Sequence, residues 1–543
     1  MGGVPARLHL LGRLPPSGPG IQAPRRFLSV YLTGSGHRPL GGRGSALFRR
    51  VLAPDDMHGG MKRLLALTST LALATACGND NPSVPKAECQ VEAIDVSACQ
   101  LSSLSGVQPE GIWNLNINLN DGSGAAAAMR LSGGGSNTQM LMGLAATERQ
   151  STPESFFLAS EFQGSNNVTM RFAVAGCSSS GPGQMSGIFR RCANGTADMK
   201  GTFEAIRLGR RAGEAEASGV ELVSEVKLTE ATATNVAVAH GHAYVTAGAK
   251  GLITFDLSDP SQPRQVRQYE LSNDYYTDAL VNGNTLYVAS RRSGIAVFDI
   301  TNPAVPVRLR SVPESVVEVN SLALDGNVLY AASPAPNAEV YVYDVATPAE
   351  PKQLRRYFVE GAEPRAGEVP LHVAAMGGRL YVSNWSFGMT VSDVTNPASP
   401  KLLGRFANGM SAATAVGMVG DRVYAFDAGE DWGAHLSVLD VSAPATVART
   451  GEFRTRPEVS IRSVAFSGTK VYLAYGQDGL RIVDVSVPGS PQQVGYYNTW
   501  RETDAGHGVV FLEGLSKVHV PGDGFVYATD SSRGLLIFRE TTE

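Results

Sequence analysis

Apolar and polar residues alternate over five or six positions, end on an aspartate and give way to proline, repeatedly, through the C-terminal part of the chain. Gly479-Leu-Arg-Ile-Val-Asp484, followed by Pro488 and Pro491, shows the phrase most fully. It returns at 251–256, 294–299, 340–344, 388–393 and 436–440, and a shortened form closes the chain at 534–538. Period-two alternation predicts a strand, and paired prolines predict a turn where no ladder donor is required. A second apolar run carrying a tyrosine precedes each phrase: Tyr244, Tyr287, Tyr330, Tyr381, Tyr424, Tyr472 and Tyr527. Seven tyrosines predict seven units. In the unit 235–271 the runs fall at 235–239, 243–247, 252–257 and 265–270. Four antiparallel strands in about 43 residues is the size of a β-propeller blade. The last unit has no fourth run, and 221–228 ahead of the first resembles the missing piece. Pairing the two would close the ring and leave no exposed edge at the junction.

Alternation of the same period runs through 88–209, with strand candidates at 111–118, 127–131, 139–144, 155–162, 167–174, 183–189 and 201–208. Six to eight short strands predict a small barrel or sandwich. The expected fold is therefore all-β: a seven-bladed propeller of four-stranded antiparallel blades over 221–543, preceded by a small β-barrel or sandwich at 88–209 and a linker at 210–220. Residues 1–60, rich in Arg, Pro and Gly, show no sustained period and read as a non-native or disordered extension upstream of a true start at Met57 or Met61.

Composition supports this division. The 543 residues include 60 Gly and 30 Pro with 43% hydrophobic content, which suits two or three turn-rich β units. Eight Arg against Asp55 and Asp56 give 1–60 a net +6, and Lys62 and Arg63 give 61–77 a further +2. The overall charge of −4 leaves −12 for 78–543, an acidic body that argues against nucleic acid as a partner.

Residues 61–77 have the three parts of a secretory signal: Lys62 and Arg63, the apolar stretch 64–73, and the small residues Ala74, Thr75 and Ala76. Cys77 directly after them resembles the lipobox of bacterial lipoproteins. The resemblance implies acylation of Cys77, a membrane anchor and an outer-membrane address, with 78–87 as tether. The alternative is an ordinary secretory signal with Cys77 incidental. The four remaining cysteines, Cys89, Cys99, Cys177 and Cys192, lie in the first β domain and suit two disulfides in an oxidising compartment. Three pairings are possible; closeness in sequence favours Cys89–Cys99 and Cys177–Cys192.

The phrase at 480–486, with Pro488 and Pro491, is similar to the LVIVD repeat of bacterial surface and secreted proteins. That resemblance covers roughly 230–543 and implies a fold but no activity. The third copy departs from it, having no Gly before Val340, and the fifth has Val447 where the second Pro belongs.

The aspartates 256, 299, 344, 393, 440 and 484 form a regular series, yet each adjoins its own turn, where an Asp can bond nearby backbone N–H groups. Function is expected where the repeat is broken. Long connections stand at 359–370 and 498–514, and the fifth copy adds Asp427, Glu430, Asp431 and Trp432, whose spacing fits no EF-hand loop. Trp385, Trp432, Trp500 and His507 are candidate loop contacts for a partner. Counting back from the turn glycines gives Asn235, Asp278, Ser321, His372, Ala415, Ser463 and Lys517 at the starts of the inner strands. Asn235, Asp278, His372 and Lys517 are the candidate binding residues of the channel mouth, against a reading as polar strand ends facing water. No catalytic, cofactor or metal motif is present. The leading expectation is a lipid-anchored envelope protein whose propeller is a platform for a protein or glycan partner. The alternative is an extracytoplasmic propeller enzyme, a metal-assisted hydrolase or lyase.

Overall fold

The computed structural model describes residues 87–541 apart from 133–138, 165–166, 229, 408–409 and 505–506. The leader and Cys77 lie outside the described residues.

Eight strands form a closed antiparallel barrel: β1 (Gly111–Leu119), β2 (Gly124–Leu131), β3 (Met140–Leu141), β4 (Leu144–Thr152), β5 (Ser155–Gln163), β6 (Thr169–Gly181), β7 (Gln184–Ala193) and β8 (Thr196–Arg207). Closure comes from β1 pairing with β8, Trp113 opposite Arg207 through Leu119 opposite Gly201. Strand alternation sends Trp113, Leu115 and Ile117 into the barrel's apolar core with Phe156, Phe172, Phe189 and Phe203. The run expected at 139–144 is broken by a turn at Met142 and Gly143, both with positive φ, so it yields β3 and the start of β4.

Both disulfides are present, with pairings other than sequence proximity suggests: Cys89–Cys192 and Cys99–Cys177. The reason is strand register. In the β6–β7 hairpin Arg171 faces Cys192 and Gly176 faces Gly187, so Cys177 and Cys192 lie about six residues apart along the strands, roughly 20 Å at ~3.3 Å per residue. A disulfide needs Cα atoms within about 7 Å. The segment before β1 instead runs along the outer wall of the hairpin. Glu88 N–H donates to the Gly195 carbonyl at one end, and Ser103 Oγ accepts from Ser179 N–H at the other. Each of its cysteines therefore meets the hairpin cysteine at its own level.

After the barrel, β9 (Ala217–Ser218) and β10 (Val220–Val226) lead into the propeller. The first blade is β11 (Asn235–Ala239), β12 (His242–Thr246), β13 (Leu252–Asp256) and β14 (Arg264–Tyr269), paired in that order. Blades two to six repeat it as β15–β18 (276–312), β19–β22 (321–357), β23–β26 (372–406), β27–β30 (411–453) and β31–β34 (463–497). The seventh contains β35 (Leu515–His519), β36 (Val526–Asp530) and β37 (Gly534–Glu540), and its fourth strand is β10, Val220 opposite Glu540. The ring is closed as expected. The linker does more than connect: β9 adds a short fifth strand to blade six, Ser218 opposite Tyr496.

Apolar side chains pack between neighbouring blades. One cluster joins blades one and two through Leu252, Leu286 and Phe298; another joins two and three through Tyr287, Val297 and Tyr343. The repeated tyrosines cross these layers. Tyr244 Oη donates to the Pro303 carbonyl at 3.1 Å and Tyr287 Oη to the Pro348 carbonyl at 2.7 Å, in each case the turn proline of the next blade. The six aspartates of the series each accept the backbone N–H two residues on, for example Asp299 from Thr301 and Asp484 from Ser486 at 2.8 Å. They are turn residues, as their position predicts. One further regularity was not legible: every blade carries a β-bulge in its outermost strand, skipping Val266, Leu309, Leu354, Leu403, Thr450, Val494 and Val223 in turn.

Candidate functional site

The connections between blades and the turns between second and third strands share one face. Bridges prove it: Gly248 pairs with Tyr276, Trp385 with Ser411 and Gly476 with Leu515, each linking a turn to the start of the next blade. On that face the inner strands begin. Each of the seven counted residues stands two positions before the partner of its blade's tyrosine, as Asn235 stands before Ala237, which pairs with Tyr244.

The four channel candidates come together. Asn235 Nδ2 donates to Asp278 Oδ1, and Lys517 Nζ lies 3.5 Å from the same oxygen. Asp278 Oδ2 accepts the Leu322 N–H at 2.8 Å. His372 belongs to the same electrostatic group: burial first, then Lys517, pulls it down to about 4 against the opposing influence of Asp278. His519, which the sequence did not single out, is pulled down to about 4 by burial and by Lys517. Asn235 Oδ1 and His519 Nε2 are buried without a hydrogen-bond partner.

These side chains do not simply face water. The inner edge of an innermost strand presents backbone donors that no ladder satisfies. Asp278 takes the N–H of Leu322, Ser321 Oγ that of Val373 at 3.4 Å, and His372 Nδ1 that of Thr414 at 3.4 Å. These bonds stitch the inner strands of blades two to five together, while Lys517 brings a cation across from blade seven to blade two.

The long connection 498–514 is engaged by the barrel. Arg207, at the end of β8, pairs with Glu502 at 3.3 Å, and Arg130 of β2 donates to the His507 carbonyl at 3.3 Å. Asn114, fully buried although it points out of the barrel, donates to the Glu458 carbonyl at 2.6 Å. Ile112 and Leu208 join the apolar cluster of Val459, Ile461 and Tyr475. The barrel thus sits on the face that carries the inter-blade connections, over blades five to seven.

The loop residues proposed for partner contact are accordingly packed. Trp500 stacks on His507 with centroids 3.7 Å apart, and His507 is 1% exposed. Trp432 stacks on Phe511 at 6.3 Å, tying the blade-five loop to the same connection. Trp385 is 9% exposed and occupies a left-handed turn position at φ 46°. Asp427, Glu430 and Asp431 do not converge: Asp427 accepts from Ser411 at 2.5 Å and Thr414 at 2.7 Å, and Glu430 pairs with Arg462. Burial pushes Asp427 up to about 6. Burial, with Glu430 nearby and against the Trp432 N–H, pushes Asp431 up to about 7. Among the described residues no three His, Cys, Asp or Glu side chains group as metal ligands.

The LVIVD repeat family model matches residues 231–270, 276–312, 371–408 and 460–499, which are blades one, two, four and six. The chain carries LVIVD repeats, and the unmatched blades include the two whose phrases depart from the pattern. None of the curated proteins matches. Solved structures similar to this chain include the computationally designed Ika8 protein, 11% identical over 59% of this chain and 99% of that one, TM-score 0.41. A chain of the mitotic checkpoint complex is 15% identical over 62% of this chain and 99% of that one, with the same TM-score of 0.41.

Proposed function

We propose that this chain is a lipid-anchored, extracytoplasmic protein of the bacterial envelope, in the outer membrane, whose propeller is a rigid binding platform for a protein or glycan partner. Two disulfides within the barrel support an extracytoplasmic site. No helix among the described residues is long and apolar enough to cross a membrane.

One observation carries the platform reading. The barrel docks through the ends of β1 and β8 near Ile112, Asn114 and Leu208, whereas Glu88 is bonded to Gly195 at the opposite end of those strands. A tether from Cys77 therefore meets the barrel at its end remote from the propeller. The barrel becomes a spacer that holds the propeller by blades five to seven. The connections of blades one to four, with the channel mouth at Asp278 and Lys517, are the part of the face beyond those contacts. Loops on a rigid scaffold are where recognition is concentrated.

A photo-cross-linking residue at Glu363, exposed on the connection between blades three and four, tests this in intact cells against one at Asn327, exposed on the opposite face. Discrete adducts at Glu363 and none at Asn327 are expected. Identical patterns at both positions would count against a directed platform. Labelled palmitate incorporated by the native chain and not by Cys77→Ser tests the anchor separately.

A further inference from the structure

The propeller wall is polarised. The outermost strands of blades one to four, β14, β18 (Val307–Val312), β22 (Lys352–Tyr357) and β26 (Lys401–Phe406), hold nine Lys and Arg side chains and no carboxylate, and all nine are exposed. The corresponding strands further round carry Arg449 with Glu452 in blade five, no charge in blade six, and Glu221 with Glu225 in blade seven. The whole of 78–543 has a net charge of −12, so this wall runs against the sign of the body that bears it.

Three of the nine are paired: Arg264 with Asp256 at 2.6 Å, Arg310 with Glu350 at 3.5 Å and Arg356 with Glu339 at 2.6 Å. The other six, Arg267, Arg308, Lys352, Arg355, Lys401 and Arg405, have no described carboxylate at ion-pair distance. Asp256, Asp299, Asp344 and Asp393 stand at one end of the wall, each holding the N–H of its own turn, and Glu270, Glu314 and Glu360 follow the strands of blades one to three at the other. Arg267, Arg310 and Arg355 occupy one register position, opposite Thr254, Val297 and Val342. The result is a row of cations, one in each of blades one to three.

We infer that this wall binds a flexible polyanionic glycan, a chain bearing carboxylate or phosphate groups that follows the ring from blade to blade. Charge complementarity selects an anion. Curvature selects a flexible one, because four of seven blades span more than half the circumference, and a planar bilayer touching one pair of blades cannot reach the rest. Four exposed apolar side chains lie on these strands, Val266, Leu309 and Leu354 at the bulges and Val307 beside Leu309; spread over three blades of a curved wall, they do not form a continuous surface for insertion into lipid. This inference deepens the platform reading by giving the partner's chemistry. It uses a different surface, so its failure would leave the cross-linking result at Glu363 standing.

The test uses the full chain with Cys77→Ser on immobilised polygalacturonate, phosphorylated dextran and neutral dextran. Retention on at least one anionic polymer and not on neutral dextran is expected, with release by salt. Combining Arg267→Gln, Arg310→Gln and Arg355→Gln is expected to weaken retention about tenfold at low ionic strength, as loss of three exposed pairs implies. The control combination Arg422→Gln, Arg449→Gln and Arg454→Gln removes the same charge elsewhere and is expected to leave retention within about twofold, a small fraction of one exposed pair each. Thermal unfolding of both variants shows whether either has lost its fold. Equal loss in the two variants overturns the inference, as does no retention on either anionic polymer. Tighter binding to single-stranded DNA or to phosphatidylglycerol vesicles, abolished by the wall variant, would also overturn it.

Discussion

At the scale of the residue, the repeat tyrosines of blades one and two each reach the first turn proline of the next blade. Tyr287 Oη reaches the Pro348 carbonyl across the blade interface, and both the ring and the hydroxyl are enclosed. Replacing Tyr287 by Phe leaves that carbonyl unsatisfied and is expected to cost about 1 kcal/mol in urea unfolding. Tyr343 is equally buried, but its hydroxyl has no partner, so Tyr343→Phe is expected to change stability by less than roughly 0.5 kcal/mol. Equal losses at the two positions would show that ring packing, not the hydrogen bond, fixes the tyrosine. The aspartates could be assigned from the sequence because their bonds span two residues. Tyr244 and Tyr287 could be counted but not explained, because their acceptors lie 59 and 61 residues away in a unit the local pattern says nothing about.

At the scale of the element, the outer strand shows why blades one to three and four to six are built differently. Arg267, Arg310 and Arg355 share their register position with Gly404, Gly451 and Gly495. At Gly404 an added Cβ would stand 1.8 Å from the Pro444 carbonyl oxygen, and at Gly451 2.2 Å from that of Pro488. Blades four and five approach their neighbours too closely there for any side chain, whereas at Gly495 the nearest atom is Val220 Cγ2 at 3.0 Å. Gly404→Ala must push two backbones apart and is expected to cost about 2 kcal/mol or more. A stability within about 0.5 kcal/mol of the native chain would show that the strand yields freely. The closing strand makes a larger claim. Deleting 220–226 exposes the edge of β37 and removes the fourth strand of the last blade. A sharp fall in the unfolding midpoint, with aggregation of the opened chain, is expected. An unchanged midpoint would mean that the ring holds without it. This strand was readable in advance because the shortage in the last unit and the surplus before the first are both visible as pattern. The bulges were not, since the skipped residue is an ordinary Val, Leu or Thr that a strand accepts at any position.

At the scale of the whole molecule, four titrating groups act in opposition. His372 and His519 are lowered from 6.5 to about 4, so the unfolded chain binds more protons between those values and stability rises with pH across that window. Asp427 and Asp431 are raised from 3.8 to about 6 and about 7, so the folded chain binds more protons and stability falls as pH rises through those ranges. Between pH 4 and 6.5 the two effects offset each other; above 6.5 only Asp431 still titrates. Asp427→Asn with Asp431→Asn is therefore expected to give a thermal midpoint that climbs from pH 4 to 6.5 and then levels, where the native chain is flatter and declines toward pH 7. Parallel profiles for the two proteins would refute this balance. The architecture at this scale was legible because blades are local. The docking of the barrel was not. Glu502 and Arg207 are 295 residues apart, and the long connection that broke the repeat looked available for a partner when it is occupied by the chain's own first domain. The basic wall was hidden in the same way, its cations being scattered one blade apart through an acidic sequence.

The two disulfides are nested: Cys89 to Cys192 encloses Cys99 to Cys177. Of these four thiols Cys89 and Cys99 lie ten residues apart, whereas their native partners lie 103 and 78 residues further on. The nearest thiols therefore meet first and meet wrongly, and thiolate attack on that early bridge is the route back to the native pairs. Oxidative refolding of the reduced chain is therefore expected to give more native protein when a thiol–disulfide shuffling couple is added to the oxidant than with the oxidant alone.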